Sequence, residues 1–421
     1  MNIRFEFNRL TALPAAGGAM GESAVTPTTQ PSFQRTGVYM KVVRRKGATT
    51  NFLKDASKKM YDAVATNIEA TLLSHVYDME NYIMYGNAGA NTYEFSGLDT
   101  FITTNRTNQV VGGVVPTNLN ILDSMIDANM DYQGIDHKKA FVMSPQMLSK
   151  YSQLLTNVRL NQGLSGALSQ VDVPGGWRLN AYRDVPIIVS SACRPRSTMG
   201  NINPTVTDDT GTVLDSQTYY FKVAAVTING EQLASAEVSQ ATGTGGAADA
   251  HSCVLSFTPV TGAYRYKVYT GTVSGTLYLK WVAPGFVYDA NGTIAASSTQ
   301  IVTAGGLSIS SNASGQTNVI TINSTPTTAG SMVPTALQSD LPLVATGGIA
   351  PEYMFLWDLD EYQGLGALPY TNEGGARFNG LVTIEDLAVT DDFLPFLIKS
   401  YCALADSFES TSSIVRGLRV E

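Results

Sequence analysis

Histidine is scarce in this chain of 421 residues: His75, His137 and His251 stand far apart, each alone. General acid–base and metal chemistry are left with few candidates. Cysteine is as rare. Cys193, Cys253 and Cys402 are distant from one another in apolar contexts, which argues against a disulfide framework or a zinc site and predicts core thiols. No run of about eighteen apolar residues is present, so no membrane-spanning helix is expected. The start MNIRFEFNRLTALPAAGG lacks the basic region and apolar run of a secretory signal, so a protein made and used in the cytosol is expected. Positive charge is short too. With 27 Lys and Arg against 35 Asp and Glu, the net charge is −8 and the pI about 5.0, with the signs mostly interspersed. Such a surface does not grip nucleic acid. Also missing are a Walker loop, a GxSxG elbow, an HExxH pair, paired CxxC and a GxGxxG after a strand. No catalytic, cofactor or metal site is predicted, and the chain reads as a non-enzyme.

What is present begins with Asp55 to Tyr85, a stretch with neither proline nor glycine. Met60, Val64, Ile68, Leu72, Val76, Met79 and Ile83 recur at steps of three and four and share one helical face. Lys58, Lys59, Asp62, Asn67, Glu69, Asp78 and Asn81 fall elsewhere. One helix of roughly 45 Å is expected at about 1.5 Å per residue, closed by Gly86, Asn87 and Gly89. Periodicity alone makes it a packed helix without chemistry. The hydrophobic content of 44% and a charged content of 15% allow two or three domains with real cores.

Residues 1–33 mix Gly, Pro, Thr and Ser and read as an extended arm. From Thr36, Val38, Met40 and Val42 alternate with Tyr39, Lys41 and Val43 ahead of Arg44, Arg45, Lys46 and Gly47, which predicts a two-stranded ribbon with its tip at Arg44–Gly47. Arg35, Lys41, Arg44, Arg45 and Lys46 are candidates for ion pairs with a neighbouring subunit, ahead of phosphate binding or a solvated turn. Tyr93–Ile102 predicts a strand or short turn. A helix at Thr117–Met130, a strand at Lys139–Met143, a helix at Pro145–Leu155 and a strand at Val185–Ser190 make a compact α/β block.

Between about Arg194 and Pro334, charge thins and strand patterns take over, marking an insertion. Asn229-Gly230 joins Thr218–Ile228 to Leu233–Thr242 as a hairpin, and Val254–Pro259, Tyr264–Tyr269, Leu277–Val282 and Phe286–Asp289 follow as a second one, together a β-sandwich. Thr293–Thr328 reads equally as short strands or an extended linker. The cluster Gly243, Gly245 and Gly246 reads as a flexible connection. Tyr219, Tyr220, Tyr264, Tyr266, Tyr269 and Trp281 are core pairs or a sugar-stacking face. Past Pro342, Asp358, Asp360 and Glu361 form an acidic cluster, read as a polar loop or intersubunit bridge ahead of a metal site. Glu385, Asp386, Asp391 and Asp392 read as solvated acids, or as partners for Arg44 or Arg45. Phe396–Leu404 and Ser413–Val420 read as the last strands of a sheet, the second an edge or subunit contact.

This order of parts carries a resemblance. An arm, a basic ribbon, a long helix ending in YGNAG with FSGLDTF after it, and an α/β block with AFVMSP resemble the tailed-bacteriophage major capsid proteins of the Hong Kong 97-type fold, over residues 1–197 and 340–421. The resemblance implies an α+β fold: N-terminal arm 1–33, E-loop 34–52, P-domain 53–116 and 366–421 with spine helix 55–85, and A-domain 117–197 and 340–365. Residues 198–339 are an inserted all-β domain with a Ser/Thr/Gly-rich extension. Its strand pairs TYYFKVAAVTINGEQLASAEVS and VLSFTPVTGAYRYKVYTG resemble immunoglobulin-like or fibronectin-type modules of phage structural proteins, with Phe257 where tryptophan is usual.

The implied function is self-assembly, through hexamers and pentamers, into an icosahedral head in the host cytoplasm. The head encloses double-stranded DNA without sequence-specific binding or a membrane. Portal and scaffolding proteins are the implied partners. The insert is expected on the outer face, with host-surface glycans as its implied ligand class. The family's lysine–asparagine cross-link finds no counterpart in the sequence, and the lack of a long segment before the arm suggests a separate scaffolding protein or an upstream part already removed. The alternatives are an encapsulin-like nanocompartment shell and a carbohydrate-binding surface protein.

Overall fold

The computed structural model describes residues 4–12, 30–58, 61–88, 93–102, 108–130, 139–161, 169–173, 177–193, 202–214, 217–228, 230–242, 251–288, 294, 301–303, 307–322, 352–359, 365–369, 383–388, 392–406 and 412–418. A two-stranded ribbon opens the chain. Strand β1 (Arg4–Ala12) runs antiparallel to β2 (Ser32–Tyr39), with Arg4 opposite Tyr39 and Ala12 opposite Ser32. The ribbon is therefore built partly from the expected arm, and Arg44–Gly47 is not its tip. Those four residues lie inside β3 (Lys41–Thr50), which pairs with the long strand β22 (Phe393–Asp406), Lys41 opposite Cys402 and Thr50 opposite Phe393. The basic run can stay extended because alternation continues through it, sending Arg45 inward to a partner and Arg44 and Lys46 outward.

The expected single helix at 55–85 is two. Helix α1 (Asn51–Ser57) is capped by the Thr50 hydroxyl, which accepts from the Leu53 N–H at 3.2 Å. Helix α2 (Ala63–Tyr85) starts afresh at Asp62, whose extended backbone and carboxylate cap the N–H groups of Val64 and Ala65. A capping aspartate inside an apolar pattern ends one helix and begins the next, so the spine has 23 residues and a length of roughly 35 Å at about 1.5 Å per residue. Its face is corrected as well. Val76 and Leu73 are 48% and 55% exposed, while His75, Asp78 and Asn81 are buried beside Met79 and Met84. The return behind the helix is tight: Gly97 donates to the Gly86 carbonyl at 2.8 Å, and a Cβ on Gly86 would stand 2.3 Å from the Phe95 carbonyl oxygen. A short helix α3 (Leu98–Phe101) follows where a strand or turn is expected.

Helix α2 packs on a four-stranded sheet in which β22 holds β3 on one side and, on the other, β20 (Leu365–Pro369) and β21 (Thr383–Asp386). The α/β block is a seven-stranded sheet. Its order is β4 (Asn108–Val114), β23 (Ser413–Leu418), β19 (Glu352–Asp358), β5 (Lys139–Met143), β8 (Val185–Val189), β7 (Trp177–Tyr182) and β6 (Ser169–Val173). Helices α4 (Asn120–Met130) and α5 (Pro145–Asn161) share its core of Leu122, Phe141, Met147, Tyr151, Met354 and Val415. β23 is no edge: all of it is buried between β4 and β19, so the last two strands belong to different sheets.

The insertion is a sandwich of two sheets. One has the order β16 (Ile301–Thr303), β17 (Leu307–Ser311), β18 (Thr317–Ile322), β13 (His251–Ser256) and β9 (Thr205–Leu214). The other joins β11 (Gly230–Glu231), β10 (Thr218–Thr227), β14 (Ala263–Val273) and β15 (Thr276–Pro284), with β12 (Val238–Ala241) also on β10. Phe221, Val223, Leu255, Trp281, Ile309 and Ile320 form one core between them. Strands thus prevail over a linker within Thr293–Thr328. The expected pairing of Val254–Pro259 with Tyr264–Tyr269 is corrected, since β13 and β14 lie in opposite sheets. Phe257 does fill a core position, its ring centroid 4.8 Å from that of Tyr266.

Candidate assembly surface and the joint beneath it

The basic candidates separate by the pleat of β3. On the side facing α2, the Arg45 guanidinium grips the Asp78 carboxylate in two bonds, Nε to Oδ2 at 2.5 Å and Nη2 to Oδ1 at 2.8 Å. Arg45 is therefore an internal partner. Arg44 and Lys46 stand exposed on the open face, opposite Lys399 and Leu397 of β22. Lys399 pairs with Glu385 of β21, so that acid finds a cation of its own sheet rather than Arg44 or Arg45. Lys41 is half-buried near the Tyr39 ring, and burial lowers its pKa. Arg35 pairs with Glu6 across the ribbon at 2.5 Å, an exposed contact of little energetic weight. Asp358 is fully buried at the end of β19, opposite Lys139, and its N–H donates to the Ser412 hydroxyl at 3.2 Å. It is not a surface bridge. Asp360 and Glu361 lie outside the described residues, among which no group of His, Cys, Asp and Glu is arranged to hold a metal ion.

Exposed apolar side chains occur on the ribbon and on the elements around β3 and β22. Phe33 and Tyr39 project from the ribbon, Val42 from β3, Phe52 and Leu53 from α1, Leu73 and Val76 from α2, and Ile384 and Phe393 from β21 and β22. Phe52 is 78% and Phe33 62% exposed. Phe33, Tyr39 and Phe52 are candidates for cover by another protein, whereas Val42 on the open face of β3 and Leu73 and Val76 on the outer side of α2 lie on opposite sides of the sheet. Leu73 carried a signal in the sequence, since it falls outside the stripe expected to be buried; Val76 was expected within that stripe, and Phe52 and Phe393 carried no signal.

Beneath this surface, β14 of the sandwich meets α2 and β19 in a buried polar joint. The Tyr264 hydroxyl donates to Asp78, and the Arg265 guanidinium donates to the carbonyl oxygen of Tyr85. Arg265 also reaches Asn81 Oδ1 at 3.3 Å and Glu94 Oε2 at 3.5 Å. Lys267 Nζ lies 2.6 Å from Glu231 Oε2 and 3.1 Å from the Tyr353 hydroxyl. Burial by itself would lower the Lys267 pKa, but the Glu231 carboxylate raises it, so the ammonium stays charged. Burial and the Asp78 carboxylate together hold the Tyr264 phenol protonated. Sequence periodicity placed Asp78 and Asn81 on the solvent side because their partners come from distant strands.

His75 Nε2 lies 2.8 Å from the Ser400 hydroxyl, but both residues are fully buried, so this pair meets no substrate. Burial pushes the Cys193 and Cys402 thiols up to about 12 and, with Cys253, they are free core cysteines as expected. The sugar-stacking face does not form: Tyr219, Tyr266, Tyr269 and Trp281 are buried, and Tyr264 is committed to Asp78. Among the described residues no helix is long and apolar enough to cross a membrane.

Residues 5–181, from the ribbon into β7, match the family model described as SU10 major capsid protein. This bears out the resemblance to phage major capsid proteins. None of the curated proteins matches the sequence. Among solved structures, the holo-SrpI encapsulin complex of Synechococcus elongatus PCC 7942 is similar at 10% identity and TM-score 0.44, covering 99% of this chain and 82% of that one. The structure from Mycobacterium phage Ogopogo is similar at 10% identity and TM-score 0.41, over 98% and 86%. The capsid of a native GTA particle is similar at 8% identity and TM-score 0.40, over 99% and 85%.

Proposed function

We propose that this chain, a major capsid protein by its match over residues 5–181, forms the wall of an icosahedral virion head around double-stranded DNA. That match is the observation that carries the reading, and the surface chemistry agrees with it. A two-stranded ribbon is marginal alone and gains stability by lying on a neighbour. On this reading β1 and β2 reach over an adjacent subunit, and Phe33, Phe52 and Phe393 become buried there. Each contact is modest, and closure of rings makes the sum stable. Arg35, Lys41, Arg44 and Lys46 border the contacts, with Asp360 and Glu361 of an adjacent subunit as partners. A net charge of −8 suits a wall that contains DNA without adhering to it.

The finer organisation follows the same reading: hexamers and pentamers, a portal at one vertex, and a scaffolding protein during assembly. The domain plan of arm, E-loop, P-domain and A-domain is proposed with the sandwich as an immunoglobulin-like module on the outer face. Electron microscopy of the purified protein, with and without a scaffolding partner, tests it. Closed shells are expected, and only monomers or fibres under every condition would overturn the reading.

A further inference from the structure

The helix α2 has no basic residue in its last turn to meet the negative end of its dipole. The cation is supplied from 180 residues away, by Arg265 of the sandwich donating to the Tyr85 carbonyl. Its neighbours on β14 act alongside: Tyr264 binds Asp78 one turn and more upstream, its ring centroid 5.8 Å from that of Tyr82. Lys267 ties the same strand to Tyr353 of β19. Two ring contacts, Tyr82–Tyr264 and Tyr93–Tyr288, cross the joint beside these polar bonds, while the apolar cores on its two sides are separate. The sandwich cluster draws only on residues 202–322, and the clusters around Met79 and Met84 draw on none of them.

The joint is also incompletely satisfied. Among the described residues, Arg265 Nε, Asn81 Nδ2 and His75 Nδ1 are buried without a hydrogen-bond partner. A buried network with open donors is the least secure part of an interior, and a polar interface between two closed cores parts more readily than either core.

We infer that the sandwich is a clamp on the end of the spine helix, supplying through β14 the cation that its last turn lacks and opening as a unit. On opening, the last two turns of α2 and the return at 93–97 lose protection, while β5, β8 and the sandwich core stay closed. The insertion is thus a conformational control on the shell's central helix rather than a passive ornament.

Native-state hydrogen exchange on the unmodified full chain tests the inference. Amides of residues 79–86 and 93–97 are expected to exchange through an opening distinct from, and more frequent than, that of β5, β8, β10 and β13. In Arg265→Met, those joint amides are expected to exchange roughly tenfold faster or more, the loss of a charge-assisted bond to a buried carbonyl, with Arg265→Lys intermediate. Glu237→Ala, which removes two hydrogen bonds confined to the sandwich, from Ser274 and Gly275, is expected to leave them unchanged. The inference is overturned if the joint amides of the unmodified chain exchange only with global unfolding. It is equally overturned if a folded Arg265→Met chain protects the helix end as before.

Discussion

Arg45 on β3 and Asp78 on α2, 33 residues apart, close on each other in a two-bond ion pair, and Tyr264 of the sandwich adds a third bond to the same carboxylate. Three parts of the chain are joined at one acidic group. The Asp78 side chain is only 8% exposed, so its charge depends on these donors. Arg45→Met leaves the carboxylate buried with the phenol alone. A loss of about 2–3 kcal/mol is expected, below that of a fully buried pair because Arg45 is 40% exposed. The double variant with Asp78→Asn should cost less than Arg45→Met alone. Arg44→Met, on the open face, should shift stability by no more than about 0.5 kcal/mol. Urea unfolding of the unassembled subunit reads all three.

Acid should weaken the same region through His75. Burial lowers its pKa, opposed by Asp78 on its own helix and reinforced by Arg45 from β3, with Ser400 of β22 at Nε2. A histidine held neutral in the fold contributes fully above its ordinary value of 6.5 and loses that contribution as the pH falls below it, because the unfolded chain takes up the proton first. Unfolding midpoints compared above and below that value should show the loss. His75→Gln should flatten the slope over that window; an unchanged slope would assign it to other groups.

Removing the sandwich should depend on where the cut falls. Replacing residues 200–294 by a Gly/Ser linker leaves part of the sandwich behind, because β16, β17 and β18 belong to the sheet of β9 and β13. A cut at 294 strands Leu307, Ile309, Ile320 and Ile322 without the core they fill. That variant is expected to aggregate. Replacement of 202–322 removes the sandwich whole, and soluble subunits with a less protected α2 end are expected; light scattering and electron microscopy separate the outcomes.

Legibility followed the range of the interactions. Pro145 opening α5, the apolar KAFVM strand and the hairpin signal that follows β10 are local, and α5, β5 and the pairing of β10 with β11 and β12 are the expected elements. The α2 face was misread because Asp78 and Asn81 are buried by Tyr264 and Arg265, residues nearly two hundred positions away. The helix break was available in Asp62, a capping residue in a helical pattern, but the apolar spacing on both sides outweighed it. β23 looked like an edge because its neighbours β4 and β19 are not adjacent in sequence. Of the contact candidates, Arg44 and Lys46 stayed on the surface, while Arg45, one residue away, did not; the pleat decided, not the charge.

The exposed phenylalanines give the sharpest separation of folding from assembly. Phe52 on α1 is 78% exposed, and Phe393, opposite Thr50 at the start of β22, is 46% exposed in the single subunit. Phe52→Ser removes little that the subunit buries, so its unfolding should shift by no more than about 0.5 kcal/mol; Phe393, only 46% exposed, also packs within the subunit, so Phe393→Ser should lower subunit stability by more than that. If a neighbouring copy covers them, each contact loses about 1.5–3 kcal/mol of apolar burial. That corresponds to roughly tenfold or more in the affinity of each contact. The concentration needed for shell formation should therefore rise steeply in Phe52→Ser and Phe393→Ser, read by light scattering against subunit concentration, while the Phe52→Ser subunit melts as before. Assembly at the unmodified concentration would remove this face from the subunit interface.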